Sequence, residues 1–162
     1  MQRRRWLLAV VAAGAALVAS SFAPLWATYR IPGLGLFAPE SVHQNAWAAY
    51  GLTMQLALGI ALAATVLGGI IAAGRPGTPQ AATWLVGLCA AALLLLVWQI
   101  VRGPQGSSDP SGYGIERGLL LFTGGALAAA MTYGSYRAWR ETQGPAFGDD
   151  VRTAPNPTSL GE

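Results

Sequence analysis

Long apolar runs separated by short polar intervals make up most of the chain. Four of them, 6–27, 46–73, 81–101 and 118–136, are long enough to cross a bilayer as helices, which takes about 20 residues at 1.5 Å each. None contains Asp, Glu, Lys, Arg or His. A charge at mid-span costs about 2.5 to 3.5 kcal/mol on insertion, so uncharged runs of this length are what lipid-embedded helices require. The expected fold is all-α: a four-helix transmembrane bundle over 1–139, antiparallel and up-down-up-down, followed by a disordered cytoplasmic tail over 140–162.

The intervals differ in character. Gly74 to Gln80 is a short turn rich in Gly and Pro that makes the second and third helices antiparallel neighbours. The interval from Thr28 to Asn45 contains the apolar stretch Ile31 to Phe37, which suits a segment lying on the membrane surface or tucked against the bundle. Pro39-Glu40-Ser41 then marks the approach to the second helix, with Ser41 as its expected N-cap. Arg102 to Arg117 is rich in Gly, Pro and Ser and reads as a flexible loop. Both of these long intervals carry an Arg followed closely by Pro and Gly and then an acid before the next helix, Arg30-Ile31-Pro32-Gly33 to Glu40 and Arg102-Gly103-Pro104 to Glu116. A duplicated hairpin and ordinary loop composition both account for that.

Composition excludes several classes of protein. Apolar residues make up 53% of the 162 positions and charged residues 10%, against about 25% charge in an ordinary soluble domain. A globule this small cannot hide so much apolar surface from water. A soluble enzyme and a disordered chain are both excluded. The lone Cys89 allows neither an internal disulfide nor a CxxC pair and reads as a small buried residue.

The net charge of +3 could suggest nucleic acid, but the arginines sit at the ends of spans, where they set orientation. With the N-terminus cytoplasmic, Arg3, Arg4, Arg5, Arg75, Arg137 and Arg140 lie inside, and Arg30, Arg102 and Arg117 outside. Aromatic belts agree: Trp6, Trp84, Tyr133, Tyr136 and Trp139 inside, Trp26, Tyr29, Trp47, Tyr50 and Trp98 outside. Both termini are expected in the cytoplasm of a bacterium, with the protein multi-pass in the plasma membrane. Two readings fit the start of the chain. Arg3 to Arg5, the apolar run after them and Val18-Ala19-Ser20 have the order of a cleavable signal. The apolar run nevertheless continues through Trp26, long enough for a retained span.

Helices in lipid associate by close packing, because lipid tails are as apolar as leucine. Small residues repeat at helical spacing as Ala9, Ala13 and Ala16, then Ala57, Ala61, Ala64 and Gly68, then Gly125 and Ala129. These are the candidate helix-packing positions, either within one chain or between chains.

Candidate chemistry is sparse. Glu40 and His43 are three apart at the expected outer start of the second helix, where they would share one face. They form the one candidate polar pair, either proton-sensitive or metal-binding, or merely a helix-start acid beside a solvated imidazole. The threonines at membrane depth, Thr53, Thr65, Thr83, Thr123 and Thr132, can return their hydroxyls to the preceding turn and need no partner. No nucleophile motif, metal motif, phosphate loop or dinucleotide fingerprint is present in the sequence. No catalytic, cofactor-binding or metal-binding residue is therefore assigned, and no enzymatic activity is expected.

Phe22-Ala23-Pro24-Leu25-Trp26, Asn45-Ala46-Trp47 and the Pro/Gly interval leading to a glycine-led last segment resemble elements of small four-span integral membrane proteins of high-GC Gram-positive bacteria. The resemblance implies the topology and no activity. The expected function is an accessory or scaffold role in the plasma membrane. Its partners would be the lipid bilayer and another membrane protein or a second copy of the chain, with no nucleic acid. The alternative is a subunit of an oligomeric transporter or channel.

Overall fold

The computed structural model describes residues 2–31, 40–74, 79–103 and 114–143. These form four helices, α1 (Gln2–Ser20), α2 (Ala46–Ala72), α3 (Pro79–Arg102) and α4 (Leu119–Arg140), and three short strands, β1 (Ala27–Ile31), β2 (Glu40–Gln44) and β3 (Gly114–Arg117). The protein is mostly helical, and α2 and α3 are long and apolar enough to cross a membrane. The expectation of an all-α chain is corrected by the strands, which form one antiparallel sheet in the order β2-β1-β3. Thr28 stands opposite His43 on one side and Glu116 on the other.

The helices pack in a ring, α1 on α2 and α4, α3 on α2 and α4, with little contact across the α2–α4 diagonal. Glycines show how close the backbones come. A Cβ on Gly14 of α1 would overlap Thr65 Oγ1 of α2, and one on Gly134 of α4 would lie 3.0 Å from Val10 Cγ2 of α1. A Cβ on Gly125 of α4 would meet Ile100 Cδ1 of α3 at 3.1 Å. Val10 faces Gly134 while Leu17 faces Gly124, so α1 and α4 run antiparallel. The core is filled from all four helices, among others by Leu17, Met54, Leu58, Leu85, Leu96 and Met131.

One helix start and one helix end differ from expectation. Ser41 lies in β2, and the N-cap of α2 is Asn45, whose side chain accepts from the Ala48 N–H at 3.0 Å. Asparagine is among the best N-cap residues because its short carbonyl reaches the otherwise unpaired N–H groups of the first turn. The first helix stops at Ser20 rather than 27. Ser20 and Ser21 hydroxyls donate to the Leu17 and Val18 carbonyls, and Pro24 has no N–H to continue a helix. The apolar loop stretch 32–39, the turn residues 75–78, the loop 104–113 and the tail 144–162 lie outside the described residues.

One turn into α2 the helix breaks at Gly51, with φ 62° and ψ −152°. That backbone region is essentially restricted to glycine, and side chains held there cost on the order of 1–3 kcal/mol. Gly51→Ala is therefore expected to lower stability by about 1–3 kcal/mol, whereas Gly59→Ala, on a helical stretch with open space around it, should raise it by about 0.8–1 kcal/mol. Thermal unfolding of the two variants in detergent distinguishes them by sign.

Candidate functional site

The sheet end of the bundle is built around Trp26. This residue was expected in an outer aromatic belt at the lipid–water boundary, but the structure buries it completely. Its ring lies against Gly124 of α4, where a Cβ would come within 2.6 Å of the indole, and Leu17 adjoins the same glycine. The indole Nε1 donates to the Ser20 carbonyl at 2.6 Å. The Trp26 carbonyl accepts from the Tyr50 hydroxyl at 3.0 Å and from the Gly118 N–H at 2.9 Å, and the Trp26 N–H donates to the Gln44 carbonyl at 3.1 Å. The buried Ser21 accepts from Trp47 Nε1 at 3.0 Å through its hydroxyl and from the Ala46 N–H at 3.1 Å through its carbonyl. One turn thus joins α1, α2, α4 and the sheet. Burial pushes the Tyr29 phenol on β1 above its ordinary range.

Glu40 and His43 both belong to β2, not to the first turn of α2. The helical spacing that would have placed them on one face does not apply to a strand, where successive residues alternate sides. His43 is exposed, and its Nδ1 lies 3.1 Å from Thr28 Oγ1 across the β1–β2 pair. Among the described residues no group of three or more His, Cys, Asp or Glu is placed to hold a metal ion.

The candidate packing positions divide. Ala57, Ala61, Ala64 and Gly68 of α2 and Gly125 of α4 are buried in the bundle. Ala9 and Ala16 of α1 and Ala129 of α4 are exposed, and Ala13 is half-buried. The buried side of α1 is carried instead by Leu7, Val10, Gly14 and Leu17. A wheel locates a small-residue stripe but not the direction in which it faces. On α1 the larger residues and one glycine fit the groove between α2 and α4 better than alanines do. Thr65, Thr83, Thr123 and Thr132 return their hydroxyls as expected, donating to the carbonyls of Ala61, Pro79, Leu119 and Ala128. Cys89 is fully buried.

The opposite end gathers arginines and aromatics. Trp6 meets Tyr133 edge-on at 5.7 Å between ring centroids, and the Arg137 guanidinium lies 5.4 Å from the centre of the Trp6 ring. Tyr136 stacks on Trp139, whose Nε1 donates to Thr83 Oγ1 at 3.2 Å, tying α4 to the start of α3. The stack was expected from the inner aromatic belt only as a set of interface residues. The separate cation–π contact of Arg137 with Trp6 follows from the two residues lying at matching ends of antiparallel helices.

No protein-family model matches the chain, and no curated protein does.

Proposed function

We propose that the chain is a four-span integral protein of a bacterial plasma membrane, with the arginine-bearing end cytoplasmic, serving as a non-catalytic accessory or scaffold component. The observation that carries this reading is the chemistry of the outward faces. Leu52 is 69% exposed, Leu94 69%, Val101 69% and Leu119 77%, although the inside of the bundle is already filled. Apolar patches of this extent on a soluble monomer mark an interaction site or a membrane. With α2 and α3 able to cross, α1 and α4 lie alongside them in the ring; their uncharged stretches, 6–20 and 119–136, give about 22 and 27 Å of helix, a shortfall that local thinning and snorkelling of the flanking arginines accommodate. Retention of α1 fits its place in the core, since cleavage at Ser20 would strip Leu7, Val10 and Leu17 from it.

The non-catalytic reading rests on the helix interior, where Thr65, Thr132 and Ser135 spend their hydroxyls on their own backbones. The scaffold reading rests on α1, whose outward side carries the exposed alanines Ala9, Ala12, Ala15, Ala16 and Ala19. Small residues there allow close approach of a further helix. The same alanines favour the second reading, a subunit of an oligomeric transporter or channel.

Orientation is tested with single cysteines in a Cys89→Ala background. Ser41→Cys is expected to react with a membrane-impermeant maleimide in intact cells and Gln143→Cys only after lysis; the reverse pattern overturns the topology. Purification in mild detergent is expected to co-isolate a membrane partner. Isolated monomer would count against both roles, while a defined oligomer with flux in liposomes would select the transporter.

A further inference from the structure

The arginine end contains more than charge. Trp6 lines a concavity of about 720 Å³ together with Gln2, Arg5 and Ala9. Its indole Nε1 is buried and has no hydrogen-bond partner among the described residues, and the same holds for Nε of Arg3. Arg3 is one turn before Trp6 on α1, the i, i+3 relation, and stands outside the lining of the concavity. Arg137 approaches the Trp6 ring from α4. Flanking arginines alone would need no explanation beyond orientation. Buried donors do, because leaving one unpaired costs about 1–3 kcal/mol. Two unpaired donors, both on side chains beside cations, call for an acceptor that is anionic and has several oxygens.

We infer that this end binds the phosphate of an anionic phospholipid headgroup, with Trp6 and Arg3 as its buried donors and Arg5 and Arg137 as its cations. The inference rests on the membrane reading above. A lipid phosphate is the source favoured by position, because Trp6 stands at the end of a span where headgroups lie, and basic pockets between helices on the cytoplasmic side take such headgroups. The neighbouring groove of about 270 Å³, lined by Arg137, Arg140 and Glu141, is the poorer candidate because its carboxylate repels the same ligand.

The test uses the full chain purified in a non-ionic detergent and titrated with phosphatidylglycerol or phosphatidylcholine, with bound lipid counted by native mass spectrometry. Phosphatidylglycerol is expected to bind about tenfold more tightly. Arg3→Gln and Trp6→Phe, the latter keeping a ring beneath Arg137, should each weaken it about fivefold. Arg4→Gln removes the same charge from an exposed position and should change it less than about twofold. Equal losses for Arg3→Gln and Arg4→Gln would reduce the effect to diffuse attraction and overturn the site. Displacement of the lipid by inorganic phosphate at matching concentration would overturn the lipid in favour of a soluble anion. Unchanged unfolding temperatures of the variants establish that binding, not folding, was altered. A chain that stays in the carbonate-washed membrane pellet yet shows no preference for phosphatidylglycerol fails this inference alone; one that leaves the pellet fails the membrane reading.

Discussion

Trp26→Ala is expected to be among the most destabilising single changes in the chain, at about 3–5 kcal/mol. The indole is wholly buried against Gly124 and near Leu17, so truncation leaves a cavity that rigid neighbouring helices cannot close. It also removes one of two donors to the Ser20 carbonyl, which keeps the Ala23 N–H at 3.0 Å. Cys89 supplies the readout: as a thiol buried in the core, it should react with a maleimide dye only when the bundle opens. In mild detergent the midpoint of that reaction on heating is expected to fall by about 10 °C. Trp26→Phe, which keeps the ring but not the N–H, should fall between native and alanine. A midpoint within about 2 °C of native for the alanine variant would show that Trp26 is not the keystone of the sheet end.

Gly118→Ala should do comparable damage for a different reason. Gly118 has φ −73° and ψ 154°, an extended backbone open to any residue, so no dihedral strain is involved. The obstacle is space. A Cβ here would overlap the Leu25 carbonyl oxygen and lie 2.5 Å from the Trp26 carbonyl carbon. Both are backbone atoms, which have no rotamer to escape into. The start of α4 would have to lift away, breaking the bonds from Gly118 N–H to the Trp26 carbonyl at 2.9 Å and from Leu120 N–H to the Leu25 carbonyl at 3.4 Å. Overpacking typically costs about 1–3 kcal/mol, and the lost bond to a buried carbonyl adds about 1 kcal/mol. The same maleimide assay reads the effect, and Gly59→Ala serves as the matched control of opposite sign. Native-like melting of Gly118→Ala would mean that α4 does not start against Trp26.

The sequence made some of this visible and hid the rest for identifiable reasons. The second and third helices were expected at 46–73 and 81–101 and occupy Ala46–Ala72 and Pro79–Arg102, because unbroken apolar runs between Gly/Pro intervals leave little freedom in their ends. The last helix runs on to Arg140. Hydropathy falls there, yet arginines suit a helix C-terminus, whose dipole favours cations. The strands are concealed by their shortness and by distance along the chain: β1 pairs with β3 almost ninety residues away, and neither alone announces a partner. Trp26 was misplaced because tryptophan is so common at lipid–water boundaries. Only the glycine it covers, almost one hundred positions later, marks it as interior. The pair Glu40 and His43 was drawn from helical spacing and dissolved once that segment proved extended. Gly14, at one of the closest helix approaches, belongs to no periodic small-residue stripe, whereas Gly134 follows Ala130 at small-xxx-small spacing and is legible from the sequence.

β1 follows α1 after the turn at 21–26, and β2 and β3 lead straight into α2 and α4, all at the same rim. These helices are thus laced together at one mouth of the barrel-like ring, and the far mouth relies on side chains such as the Trp139–Thr83 contact. Opening of such a body is expected to be lopsided, like a purse with its drawstring at one lip, with amide hydrogen exchange faster at the arginine-fringed lip than at the laced one.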